Sequence, residues 1–370
     1  MKVGILTFQN AHNYGAILQL YALKMYLEKL GNEVTVINYI NEKIQEEYPI
    51  KKSFFVKRDW PIYKKVNRGI NNLINNKEYS KKWLKFDDFI KELVNNQQRI
   101  YRVEDVKKIS DNLDYIICGS DQIWNPKLTG CLDKVYFVDF ESKAIKISYA
   151  ASIGLERFEG EQEKEFKALI NNFNNISVRE ENLKNYIENL DKTKRVEVVL
   201  DPTLLLDKQE YEKILIEPKI KEKYLFIYCV LPDKRLIKIA KKIAKQKGLK
   251  IIELTYVKQF GTFSHKQILD AGPKEFLGLI KNAEYVVTNS FHGTIFSILF
   301  DKKFYTISID KVNSRIETLL NVTGAISRFV DVNSKINLEE EIDYKKAMEN
   351  IKKYKETSEN FLRKALEKEQ

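Results

Sequence analysis

Residues 2–40 read KVGILTFQNAHNYGAILQLYALKMYLEKLGNEVTVINYI, and this opening decides the fold. Lys2–Thr7 is an apolar run of strand length, followed by a polar loop, Phe8–Tyr14. From Gly15 to Leu30 the apolar residues Ile17, Leu18, Leu20, Tyr21, Leu23, Leu27 and Leu30 recur at helical spacing. Gly31 suits the left-handed position that ends a helix. Val34–Ile40 is a second apolar run. Strand, loop, helix and strand in that order form a βαβ unit, which favours a right-handed crossover and parallel pairing. The turn, FQNAHNYGA, has no GxGxxG, so an NAD or FAD site is not expected there.

The alternation continues outward. Tyr115–Cys118, Ala144–Ala150, Ile176–Val178 and Val196–Leu200 read as strands. After a joint near 207–222 it restarts. Tyr224–Leu231, Ile251–Leu254, Glu284–Thr288 and Lys303–Ile307 read as strands, with helices over Asp233–Gln246, Pro273–Asn282 and Gly293–Phe300. The expectation is an α/β chain of two Rossmann-like lobes with an interlobe cleft. The N-terminal lobe would span 1–206, with a basic aromatic helical insertion near 51–99. The C-terminal lobe would span 223–335, and a helix over 343–370 would pack back on the first lobe. A length of 370 residues suits two domains.

Composition narrows the function. The longest uninterrupted apolar run, Tyr224–Leu231, is far shorter than the ~20 residues a membrane-spanning helix needs. MKVGILTFQN lacks a signal peptide's apolar core and cleavage site, so a cytoplasmic protein is expected. Cys118, Cys131 and Cys229 are scattered and odd in number, which argues for free thiols. His12, His265 and His292 are the only histidines, so no metal site is expected. The net charge of +11 is uneven: residues 51–92 hold twelve Lys or Arg against five acids, with eight aromatics interleaved. That composition suits a peripheral contact with an anionic membrane surface, or a solvated helical segment whose aromatics turn inward. No nucleic-acid-binding motif accompanies it.

Ligands of parallel sheets sit beyond the carboxyl ends of strands, so four strand-end loops stand out. In CGSDQIWNP (Cys118–Pro126), Asp121 and Asn125 offer an acceptor and an amide, and Trp124 a flat face for a sugar ring. A capped turn around a core Trp is the other use of the same residues. SYAASIG (Ser148–Gly154) supplies small residues, including Ser152 and Gly154, against which a ligand can lie. SVRE (Ser177–Glu180) sets Arg179 where its fork can meet a carboxylate or phosphate; a surface Arg179–Glu180 pair is the alternative. In VTNSFHGT (Val287–Thr294) a strand leads through a polar elbow into a helix expected from near Gly293. The N–H groups of such a start bind anions, and His292 there can donate a proton near neutral pH. Ser290 suits the cap or the ligand. A purely structural histidine is the alternative.

In this order, NYGAILQLYAL from Asn13, CGSDQIWNP, SYAASIG, SVREENLKNY, VVLDPTLLL, VVTNSFHGTIFSILF and NSRIETLL around Arg315 resemble the polysaccharide pyruvyl transferase family. The resemblance implies a fold like that of GT-B glycosyltransferases and no metal or organic cofactor. It implies transfer of a pyruvyl group from phosphoenolpyruvate to two hydroxyls of a sugar. The product is a cyclic ketal on a cell-surface or capsular polysaccharide or its lipid-linked precursor. With the basic aromatic segment, the cytoplasmic protein is expected to be peripheral on the inner face of the membrane. On that reading His292 is the general acid or a phosphate contact, and Arg179 grips the donor's phosphate or carboxylate. Asn289, Ser290, Gly293, Thr294, Ser152, Gly154 and Arg315 complete the donor side. Asn13, Tyr14, Asp121, Trp124 and Asn125 form the acceptor side, with Asp121 as base. Two readings from elsewhere are a nucleotide-sugar glycosyltransferase on the same fold and a non-catalytic sugar-binding protein.

Overall fold

The apolar runs of the first half pair as a six-stranded parallel sheet: β1 (Lys2–Leu6), β2 (Glu33–Val36), β3 (Tyr115–Cys118), β4 (Ile145–Ala151), β5 (Asn175–Val178) and β6 (Val196–Val198). Their order is β2-β1-β3-β4-β5-β6. The second half builds a five-stranded parallel sheet from β7 (Tyr224–Tyr228), β8 (Lys250–Leu254), β9 (Lys266–Ile268), β10 (Tyr285–Thr288) and β11 (Lys303–Thr306). Its order is β11-β10-β7-β8-β9. The structure is a computed structural model that describes residues 1–47, 74–95, 97–230, 233–256, 258, 265–307, 314–331, 334 and 336–367. β3 and β10 are buried along their whole length, as strands covered on both faces require.

The chain order reverses between β1 and β3 in the first sheet and between β7 and β10 in the second. These are the switch points where neighbouring loops part and leave room for a ligand.

Two units result. The first takes the described residues of 1–48, 90–206 and 349–370. Its helix Tyr14–Lys29 is apolar on nearly every side and correspondingly buried. Asn13 starts it by accepting the N–H groups of Gly15 and Ala16 at 2.9 and 3.2 Å. The helix Tyr344–Ala365 reaches this unit with its later turns. Phe361 lies against Tyr149, and the Ser358 hydroxyl oxygen accepts the Leu200 N–H at 2.9 Å. Burial, with Glu359 next, pushes the Tyr26 phenol up to about 12, while Arg363 opposes the shift. The C-terminal helix thus packs on the N-terminal sheet's unit, as expected.

The second unit takes the described residues of 49–89 and 207–348, which corrects the assignment of the basic aromatic insertion to the N-terminal lobe. The reason lies in the helix Asn76–Leu93. Lys85 bonds Glu275 at 2.7 Å and the Asp270 carbonyl at 2.9 Å. Lys82 lies 3.8 Å over the Tyr256 ring, and Tyr79 accepts the Lys258 N–H at 3.3 Å. Tyr79, Phe86 and Phe89 are buried. In this described half the aromatics turn inward, and Lys82 and Lys85 are held by the protein itself. The expected membrane contact otherwise falls on residues 51–73, outside the described residues. No described helix is long and apolar enough to cross a membrane.

β2 stops at Val36, short of the expected Ile40, because Tyr39 leaves to bridge Ile100. β9 was not anticipated: Lys-Gln-Ile carries too little apolar pattern. Cys118 and Cys229 are buried thiols, and Cys131 is exposed.

Gly119, just past β3, has φ +123°, and a Cβ there would lie 2.2 Å from the Tyr149 carbonyl oxygen. Gly119→Ala is expected to cost about 3 kcal/mol through left-handed strain and the backbone clash. Urea denaturation measures it, and an unchanged midpoint would refute this reading of the turn.

Candidate active site

At the carboxyl edge of the first sheet, four strand ends converge on Arg179, the residue after β5. Its side chain is 2% exposed. Nη1 donates to Asp201 Oδ2 at 2.8 Å, Nη2 lies 3.5 Å from Asp121 Oδ1, and Nε lies 3.7 Å from Glu180 Oε1. Burial pulls the guanidinium's pKa down, but Glu180, Asp201 and Asp121 outweigh it, and the net shift is upward. Three carboxylates therefore surround one cation. The expectation that Arg179 grips an anionic donor meets a contrary environment, since all three guanidinium nitrogens already face carboxylates.

Each carboxylate is separately braced. Asp201 is fully buried, and its Oδ1 accepts the Thr203 N–H and hydroxyl at 3.0 and 2.7 Å. Glu180 Oε1 accepts the Ser152 hydroxyl at 2.8 Å. Ser152 in turn accepts the Gly154 N–H at 3.2 Å, and its own N–H bonds the Asp121 carbonyl at 3.0 Å. Ser152 and Gly154, expected on the donor, thus support Glu180 and Asp121. Asp121 itself has φ +80°, a left-handed conformation that a non-glycine residue rarely holds without a functional reason. Its Oδ1 accepts the Gln122 N–H at 2.8 Å. Beneath it, Ser120 N donates to Gln19 Oε1, Gln19 Nε2 to Thr7 Oγ1, and Thr7 Oγ1 to the Ser120 carbonyl, at 3.1, 3.0 and 2.9 Å. That network ties the β3 loop to the end of β1 across the switch point.

Three expected acceptor residues have other work, which corrects those assignments. Trp124 is fully buried, stacked on Phe137 at 5.3 Å, with its Nε1 donating to the Tyr136 carbonyl at 3.0 Å. Its apolar surface was worth more in the core than on a ligand. Tyr14 is fully buried in the first turn of its helix. Asn125 caps the short helix Pro126–Thr129 through the Lys127 N–H and donates to Gln122 Oε1 at 2.7 Å. Asn13, half-buried, spends its carbonyl oxygen on its own cap.

In the second unit, β10 runs into the helix Phe291–Leu299, which starts two residues earlier than expected and sets His292 in its first turn. Ser290 is the cap, accepting the Gly293 N–H at 3.2 Å, and its carbonyl takes the Thr294 N–H at 2.9 Å. The Gly293 and Thr294 N–H groups expected on phosphate are therefore already bonded. Asn289 Oδ1 accepts the Val230 N–H at 2.9 Å and joins the β10 and β7 loops across the switch point. Gly293 is required: a Cβ there would lie 2.5 Å from Thr288 Oγ1. The His292 ring meets Phe291 edge to face at 5.3 Å, and the Arg315 guanidinium lies 5.8 Å from the other partner of that pair, the Phe291 ring. His292 and Arg315 thus gather around one aromatic at the second switch point.

Sequence reasoning offers Glu180 only as a surface partner of Arg179, whereas the pair is buried, and it missed Asp201 as a member of the cluster, although VVLDPTLLL carried it; only the placement of Arg179 gives that acid a reason. It also missed Glu253, fully buried in β8 and bonded to His265 Nε2 at 2.7 Å and Gln267 Nε2 at 2.9 Å. A lone acid within the apolar run IIEL was the available signal. Burial first, then Glu253 and Asp233, pushes the Cys229 thiol up to about 12, so it is no nucleophile at neutral pH. No group of three or more metal-binding side chains occurs among the described residues.

Trp124→Leu is expected to lower stability by about 3 kcal/mol, through the cavity it opens, without weakening affinity for a sugar. Denaturant unfolding and sugar binding on the same variant check this. Full stability with lost sugar affinity would restore Trp124 to the site.

Among solved structures, a UDP-N-acetylglucosamine 2-epimerase from Rickettsia bellii is 12% identical, with a TM-score of 0.50 over 98% of this chain and 95% of that one. The UDP-GlcNAc 2-epimerase of Methanocaldococcus jannaschii is 14% identical, with a TM-score of 0.49 over 95% and 92%. The Escherichia coli heptosyltransferase WaaC with ADP is 13% identical, with a TM-score of 0.39 over 85% and 90%. At these identities the first likeness speaks to the fold alone, the α/β type of GT-B enzymes, and the other two carry no argument. No curated protein matches the chain in sequence. A family model described as polysaccharide pyruvyl transferase matches residues 13–311, a span holding the Arg179 cluster and the His292 helix start, and the chain therefore belongs to the polysaccharide pyruvyl transferase family.

Proposed function

We propose that the protein transfers a pyruvyl group from phosphoenolpyruvate to two hydroxyls of one sugar in a polysaccharide or its precursor. The observation that carries the reading is the pairing of His292 and Arg315 around Phe291 at the second switch point, with Phe291 and His292 inside the segment the family model matches and Arg315 just past its end at residue 311. A donor with a carboxylate and a phosphate calls for a cation and an acid together; the helix Phe291–Leu299 supplies His292 and the helix Ser314–Thr323 supplies Arg315.

The donor's methylene carbon takes a proton and becomes a methyl group, leaving C2 with oxocarbenium character. The first sugar hydroxyl bonds C2 and gives up its proton. The C2–O bond to phosphate then breaks, and the second hydroxyl closes the ketal. Of the two hydroxyl protons, one balances that taken by the methylene carbon and the other leaves with phosphate. His292 is the proposed donor of the first proton, and Arg315 the cation for the departing phosphate. Asp121 accepts a hydroxyl proton on the acceptor side. The surface polysaccharide, the lipid-linked precursor and the peripheral membrane contact belong to this same reading.

Phosphate release from phosphoenolpyruvate, followed across galactosides, mannosides and N-acetylated hexosamines, tests it. Release that depends on one acceptor class is expected. A protein that binds nucleotide sugars in a thermal-shift comparison but ignores phosphoenolpyruvate would be a glycosyltransferase instead. In the same assay His292→Ala is expected to lose about 10²–10⁴-fold in rate while keeping its thermal midpoint. A near wild-type rate would remove His292 as the acid.

A further inference from the structure

We propose that Arg179 is a positioning residue of the acceptor half: it fixes the Asp121 carboxylate for contact with a sugar hydroxyl and does not touch the donor. This rests on the pyruvyl-transfer reading above. Arg179 is 2% exposed, and each of its three nitrogens lies within 3.7 Å of a carboxylate oxygen. Nη1 bonds Asp201, Nη2 and Nε face Asp121 and Glu180 as ion pairs at 3.5 and 3.7 Å, and a trianionic donor brought to this guanidinium would also face three negative charges.

The three carboxylates are not equivalent. Asp201 is fully buried and saturated by Thr203 and Arg179. The Glu180 side chain is 11% exposed and braced by Ser152. Asp121 is the most open, at 18%. Its Oδ1 is anchored by the Gln122 N–H and faced by Arg179, whereas its Oδ2 accepts no hydrogen bond among the described residues. One oxygen held and one left open is the arrangement of a carboxylate set to receive a hydroxyl proton. The left-handed backbone at Asp121 and the Ser120–Gln19–Thr7 network fix the same direction from below. Asp201 and Glu180 then serve to hold the guanidinium that holds Asp121.

Arg179→Lys keeps the charge and removes the fork. The expected result is a fall of about 10²-fold in kcat, with the affinity for phosphoenolpyruvate by calorimetry and its KM within twofold of wild type. A merely structural brace would lower the thermal midpoint and leave kcat per folded molecule unchanged. A tenfold rise in donor Kd and KM with kcat preserved would show that Arg179 binds the donor and overturn the proposal. If the variant does not fold, the Arg179 Nε–H resonance of the wild-type protein, labelled with 15N-arginine and titrated with phosphoenolpyruvate, gives the answer. It should stay in place while the donor binds. A shift that saturates with donor binding defeats the proposal alone, whereas a wild-type protein that neither binds nor consumes phosphoenolpyruvate defeats the pyruvyl-transfer reading and this proposal with it.

Discussion

A guanidinium taken out of water costs on the order of several kcal/mol unless matched charges and hydrogen bonds replace the solvent. Arg179 meets that demand with carboxylates drawn from three places in the chain: Asp121 after β3, Glu180 beside it after β5, and Asp201 after β6. Ser152, after β4, joins through Glu180. One buried cation therefore holds four strand-end loops of the first sheet to a common arrangement. Each acid left without the guanidinium would be a buried or half-buried charge with too few partners, so the loops and the cation require one another.

The two strand edges differ in electrostatic character. The first gathers three acids around one base, a setting suited to hydroxyls, which donate to carboxylates and give up protons to them. The second sets an imidazole and a guanidinium around Phe291, a setting whose side chains suit an anion.

The fold was largely legible because parallel strands buried on both faces must be apolar along their length, and runs such as Tyr115–Cys118 and Tyr224–Leu231 have few other uses. β9 escaped because a three-residue edge strand needs only backbone pairing, and Lys-Gln-Ile advertises none. The basic aromatic segment was legible in composition but not in address. Lys82 over Tyr256 and Lys85 on Glu275 are contacts at long sequence range, so nothing near them in the chain assigns the helix to the second unit. Within the site, strand-end position marked Asp121, Arg179 and His292, but residue type misled on the rest. Trp124 suits a sugar face and a core equally well, and only its burial separates the two. Asn125, Ser152 and Ser290 are side chains that cap and brace as readily as they bind. The role of Arg179 depended on acids up to 58 positions away, Asp121 being the most distant.

A crystal structure of the protein with phosphoenolpyruvate bound tests the division of labour most directly. The account predicts the donor's phosphate beside His292 and Arg315, with Arg179 still enclosed by Asp121, Glu180 and Asp201. Donor density on the Arg179 guanidinium, with those carboxylates displaced, would contradict it.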